Sequence, residues 1–480
     1  MNSKTKLTRV SMVALAAASV LVIRPGFAHA ATTAAQLQAE INQLQAQINA
    51  LSTQQDAINA QVADNALAVK KLATATKATK NGWGMVSKGN VLPDFVSDDG
   101  SSSFKIIGRL QGDLTMRQVP GAVSKGQAAA LNGKSTSIDE SFRRVRLGVQ
   151  GQFAKYWVYK FQYDFLGSAA AGITDAYFGY NRKFGNVGNE FLVGNQFVAF
   201  GQHTPSNYIT FMEDRLDTSV FRPGRQLGIS GRDYTKYWNA WYSLTNGRGA
   251  AGTGSGTLAV SGQIGFNLIN TSHTVIHIGN SLLYNRFAGG TGTPGTAFKS
   301  APDAHFYGAN LIATPSLIDV VSNFVYSPSL VVKYGPASFR ANYYMENTID
   351  HSNKGKASDL TAAQATFSGW AVQGDYILTG ETRPFDDASG AFLGIKPLHP
   401  ITDGGWGAFQ VAARLDSADL NDVHHGVQGG RETNVTFAIN WFPTSYTRVD
   451  LDYIKVLKVV GGAYNGYDPS IVAARMQFVF

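Results

Sequence analysis

Arginine and lysine recur at every second position in several short segments of this 480-residue chain. Lys105, Arg109 and Arg117 are spaced against Phe104, Ile106, Leu110, Leu114 and Met116. Arg144 and Arg146 alternate with Val145, Leu147 and Val149, and Lys160 with Tyr159 and Phe161. Arg340 stands between Phe339 and Ala341, and Arg475 between Ala474 and Met476; Arg414 shows the same parity. Successive side chains of a strand point to opposite faces, so each segment has one apolar and one basic face. A guanidinium presents a planar fork of donors, stays charged and suits oxyanions. Rings of arginine and lysine around a water-filled pore favour anions over cations. Asp113, Asp164, Glu346 and Asp416 share the basic face. Part of the set is therefore expected to be paired, and a positive surplus to remain.

The elements that would position these residues are strands of period two running from Phe104 to Phe480. A soluble sandwich also alternates. The apolar face here is aromatic at strand ends, like the girdle of a membrane barrel. Charged residues make up only 15% of the chain, against about 25% in soluble domains. Yet no stretch of about 18 apolar residues is present to form a membrane helix. A base on the lipid face costs about 2–4 kcal/mol at midplane, so the basic face belongs inside. The last strand ends on Phe480 and resembles the terminal aromatic signal of outer-membrane barrels. Counting segments between turn-rich stretches predicts an all-β fold, a transmembrane antiparallel barrel of about sixteen strands over 104–480. Arg143 has the wrong parity for the lumen, which places it at the rim or on a bulge. Residues 199–232 are too long for a turn and carry Arg215, Arg222, Arg225 and Arg232 beside Glu213, Asp214 and Asp217. They are expected to fold inward as a constriction.

Upstream, the pattern changes. Residues 1–30 read as a signal peptide: Lys4, Lys6 and Arg9, then apolar Met12 to Ile23, then Ala28-His29-Ala30. Residues 31–80 have apolar residues at alternating steps of four and three: Leu37, Ile41, Leu44, Ile48, Leu51, Ile58, Val62, Val69 and Leu72. This is a heptad seam, interrupted by Gln55 and Asn65, and predicts a short coiled-coil helix. Isoleucine or valine at a with mostly leucine at d favours two strands, but the two polar positions weaken that preference and leave the number open. Residues 81–103, rich in Gly, Ser and Asp, read as a linker. The formal charge of +8 includes Lys4, Lys6, Arg9 and Arg24 with no acid in residues 1–30, leaving about +4 afterwards. That is too mild for nucleic-acid binding.

Taken in order, the motifs resemble the phosphate-selective porin O and P family. The similarity rests on Gly108-Arg109-Leu110-Gln111, Phe142-Arg143-Arg144 with Leu147-Gly148, and Thr174-Asp175-Ala176-Tyr177. It continues through Thr204 to Glu213, Phe221 to Arg225, Leu378 to Glu381, Ile395-Lys396-Pro397 and Asn440-Trp441-Phe442. The resemblance implies a sixteen-stranded homotrimer in the bacterial outer membrane, a periplasmic N-terminal segment, and a three-stranded coil. It implies an arginine ladder containing Arg109, Arg143 and Arg144, with Asp175 as acidic neighbour of the constriction. Small anions, phosphate or other oxyanions, are the implied solutes, and lipid the surrounding partner. The family's phosphate-selective members carry a lysine before the aromatic of the pore loop; this chain has Asn207 before Tyr208.

No cofactor or metal is implied, and the chain has no cysteine. An enzyme is not expected: His424-His425 lie in a turn-like stretch, and neither G-x-S-x-G nor HExxH occurs. The alternative is a general or sugar-type porin, for which Tyr208, Tyr237, Trp238 and Trp241 would supply stacking surfaces.

Overall fold

A computed structural model describes residues 39, 41–58, 62, 82–86, 91–118, 136–167, 172–202, 204–205, 207–246, 257–287, 297–304, 309–317, 320–350 and 365–480. The signal-peptide segment, and Leu37, Asn65, Val69 and Leu72 of the heptad seam, lie outside them.

Residues 41–58 form a helix of strong helix formers without Gly or Pro. Ile41, Leu44, Ile48, Leu51 and Ile58, all members of the seam, are exposed. The helix belongs to a different unit of the chain from residues 81–480.

The larger unit is built on sixteen strands. They are β1 Ser103–Gln118, β2 Thr136–Phe153, β3 Trp157–Asp164, β4 Ile173–Phe184, β5 Val187–Phe197, β6 Arg225–Tyr234, β7 Trp238–Thr245 and β8 Leu258–Asn270. There follow β9 Thr274–Arg286, β10 Val320–Tyr334, β11 Ala337–Asp350, β12 Thr366–Ile377, β13 Ala408–Asp422, β14 Val427–Phe442, β15 Thr447–Val460 and β16 Ser470–Val479. Each pairs antiparallel with the next, as in β1 with β2 and β15 with β16. β16 returns to β1, from Ser470↔Gln118 to Val479↔Arg109. Closure leaves no sheet edge unpaired, which is the condition for strands to cross a bilayer. Leu114, Phe142, Phe178, Phe437 and Met476 point outward and are exposed, whereas Gln111, Asp113, Asn440, Asp452 and Arg475 point inward and are buried.

At one end the turns are tight. Two-residue turns at 185–186 and 335–336 place Gly185 and Gly335 at positive φ, which other residues adopt only with strain. Three long connections, 198–224, 287–319 and 378–407, have described residues inside the lumen. The first carries a short helix, Leu216–Phe221. Val198, Phe200, Leu216 and Phe221 pack with Leu311 and Leu317 of the second connection and with Tyr344 and Phe367 of the wall. The third rises from the tight-turn end. Asn239 donates to the Asp387 carbonyl and Gln202 to the Gly390 carbonyl, both at 3.1 Å.

Two boundaries differ from expectation. Strand β6 begins at Arg225, so the first inward connection ends at 224 rather than 232, and Arg225 and Arg232 are wall residues. The 81–103 stretch, expected as a linker, holds two short strands. Trp83–Val86 pairs with Asp94–Ser97, which joins β1 through Phe95↔Phe104 and Val96↔Ser103.

Candidate pore and constriction

The inward side chains divide into those that border open space and those that hold the loops. A cavity of about 660 Å³ is bordered by Lys105 and Arg109 of β1, Lys160 of β3, Asp175 of β4 and Arg225 of β6. Asn207 and Tyr208 of the first loop also border it. Arg109 donates to the Asn207 side-chain oxygen at 2.9 Å, and Gln477 to its carbonyl at 3.2 Å. The loop tip is thereby fixed against β1 and β16. Asp175 lies between two bases, 2.8 Å from Lys160 and 2.6 Å from Arg225. Lys105 makes no hydrogen bond or ion pair among the described residues, and neither does Lys396, which also borders the cavity.

The remaining bases expected to line the pore point inward but act mainly as fasteners. Arg143 is the extra residue of a bulge, since Gln111 pairs with Arg144 and Gly112 with Phe142. The bulge brings Arg143 to Glu213 of the loop, at 2.7 and 3.0 Å, while Arg144 donates to Gln111 at 2.8 Å. Arg146 pairs with Asp164 at 2.7 Å. Arg475 grips Asp113 and Glu213, both at 2.6 Å. Arg414 lies 2.8 Å from Asp303 of the second inward connection and 3.6 Å from Asp416, and donates to the Glu213 carbonyl at 3.1 Å. Arg340 donates to Thr204 and Thr210 at 2.8 and 3.3 Å. Arg117 is buried in the wall. Within the loop, Arg215 is buried against Asp217 at 3.1 Å, and Arg222 lies over Phe197 at 5.4 Å. Glu346, expected as an acidic partner, instead accepts from Asn323.

Three bases not singled out as pore residues in the sequence, Arg383, Lys396 and Arg448, are brought in by the fold, and Arg232, expected in the loop, joins them from the wall. Arg448 of β15 donates to the carbonyls of Ile209 and Thr210, and Arg232 lies over Trp241 at 4.5 Å. Arg383 donates to Tyr208 and Thr210 from the third connection. Lys396 borders the cavity from the same connection. Arg448 alternates with Val449 and Leu451, so parity could have found it. Arg383 and Lys396 lie in a stretch without periodicity. Of the aromatics offered for a sugar-type pore, Tyr208 and Trp241 border the cavity. Tyr237 lies 69% exposed in a turn, and Trp238 shares the outward parity of Tyr242.

The family model for phosphate-selective porin O and P matches residues 122–480. The chain belongs to that family. Porin O of Pseudomonas aeruginosa is 24% identical over 454 residues, covering 86% of this chain and 97% of its own. An uncharacterized protein of Caulobacter vibrioides is 27% identical over 408 residues, covering 81% and 76%. Among solved structures, an anion-selective porin from Comamonas acidovorans aligns with a TM-score of 0.45 and 11% identity, over 79% of this chain and all of that one. Membership of that family makes the barrel that of a bacterial outer-membrane porin, and its lumen a channel.

Proposed function

We propose that this porin passes small anions, oxyanions among them, by diffusion along a basic wall. The supporting observation is the charge around the cavity: among the described residues, seven basic side chains border it against the two acids Asp175 and Glu190. A low-dielectric barrel focuses the field of that surplus onto the permeating ion. In planar bilayers with asymmetric KCl, the reversal potential should favour chloride over potassium. A potential favouring potassium would sink the proposal.

Phosphate should bind weakly in this pore. At the constriction Asn207 supplies an amide oxygen that occupies Arg109, where a lysine would supply charge. Asn207→Lys is expected to strengthen phosphate block of chloride current by about fivefold, the factor given by ~1 kcal/mol of added Coulomb attraction. Unchanged block and unchanged conductance would show that the loop tip does not sit at the constriction.

We also propose that residues 31–80 lie in the periplasm and join subunits of a trimer as a coiled coil. The exposed seam on helix 41–58 supports this, because most of a helix's stability comes from packing its apolar face against a partner rather than from propensity. Deleting residues 31–80 should leave conductance per pore unchanged and lower the temperature at which the oligomer dissociates in detergent. A 31–80 peptide that sediments as a monomer would refute the coil.

A further inference from the structure

Inward positions of a porin wall are ordinarily polar. Several inward side chains at this cavity are not, among them Ile107 of β1, Tyr177 of β4, Leu192 of β5 and Trp241 of β7. Three of them lie on neighbouring strands of one stretch of wall. Tyr177 stands opposite Gly194, two positions from Leu192, and Leu192 stands opposite Gly179. A Cβ at Gly179 would meet the Phe191 carbonyl, and the Leu192 side chain at 2.6 Å; one at Gly194 would meet the Ala176 carbonyl, and the Tyr177 Cα at 2.7 Å. Those glycines therefore let β4 and β5 approach closely beside Tyr177 and Leu192. Arg232 stands opposite Trp241 in register and lays its guanidinium over the indole, 4.5 Å from the ring centre. Tyr208 faces this wall from the loop.

The same cavity carries Lys105 and Lys396 without partners among the described residues. Its volume of about 660 Å³ is in the range of sites that enclose drug-sized ligands, far more than one small oxyanion fills. We infer that this cavity binds organic anions with an aromatic or apolar body, carboxylates and sulfonates, the body lying on Tyr177, Leu192 and the Arg232–Trp241 stack and the charged group on the lysines. A guanidinium laid on an indole offers a flat cationic face on which a ring stacks, and ammonium groups pair with the anionic end. The inference rests on the anion-channel reading above and narrows it to a solute class.

The test compares two anions with the same charged group, benzenesulfonate and methanesulfonate, as blockers of chloride current through the full-length porin in planar bilayers. Benzenesulfonate is expected to block at a concentration at least ten times lower. Trp241→Ala and Tyr177→Ser, made separately so that one insertion-competent variant suffices, should each reduce that preference at least threefold while leaving phosphate block unchanged. Equal block by the two sulfonates in wild type would overturn the inference, as would a preference that neither variant alters. The reversal potential recorded on the same membranes separates the two levels. A cation-selective pore would remove the anion-channel reading itself, whereas an anion-selective pore indifferent to the ring would remove only the aromatic site.

Discussion

Replacing Arg414 with methionine is expected to release two loops at once. Arg414 is almost fully buried and meets Asp303 of the second inward connection, Asp416 of its own strand and the carbonyl of Glu213 in the first loop. Its guanidinium also lies 4.4 Å from the centre of the Phe211 ring, which belongs to the first loop. Methionine retains much of the volume and none of the charge. It leaves Asp303 and Asp416 facing each other in the interior. Breaking a buried ion pair by removing one partner costs about 3–5 kcal/mol, mostly through the charge left behind. Single-channel records of Arg414→Met should show greater open-channel current noise than wild type. The chloride preference should fall, since the lumen loses a cation. Asp303→Asn is the milder companion, because Arg414 keeps Asp416, and should free the second connection without adding an unpaired acid. Wild-type noise and thermal stability in Arg414→Met would show that the loops are held by the apolar cluster around Leu216 and Phe221 instead.

The sequence disclosed the wall more fully than what fills it. Strict alternation places Arg475 inward and Met476 outward on β16, and the structure has them so. The consecutive pair Arg143-Arg144 violated that rule, and the violation marks a bulge: an extra residue rotates Arg143 to the loop. The start of β6 at Arg225 was not legible, because the first residues of the strand follow directly on Arg- and Pro-containing loop sequence without a clear alternation. Arg383 and Lys396 were hidden for a different reason. The 378–407 connection leaves from the tight-turn end, where sequence length alone gives no sign that a chain turns into the lumen. The apolar patch of Tyr177 and Leu192 was least visible of all. Each sits on the polar parity of its strand, and only the register, which sets Tyr177 opposite Gly194 and Leu192 opposite Gly179, brings the two together.

Glu213→Gln is expected to raise the chloride preference while loosening the loop, a combination that separates it from Arg414→Met. Glu213 accepts from Arg143 at 2.7 and 3.0 Å and from Arg475 at 2.6 Å. The amide keeps the shape but removes one negative charge from the lumen, so the positive surplus grows. The stability loss should be smaller than for Arg414, because Arg475 retains Asp113 at 2.6 Å and Arg143 is partly solvated. The same clasp sets a pH dependence. Burial opposes the charge on Glu213, but Arg475, Arg143 and Arg144 outweigh it and hold the carboxyl well below the usual range. A depressed folded-state value means that the clasp contributes fully above the unfolded value of about 4.3 and is lost only as pH falls through the lower, folded one. Wild-type current noise should therefore stay flat from pH 7 to below 4. Glu213→Gln should show the loosened loop already at pH 7, with no further change on acidification over that range. A wild-type pore that turns noisy between pH 6 and 4 would mean that Glu213 is not the group holding the loop.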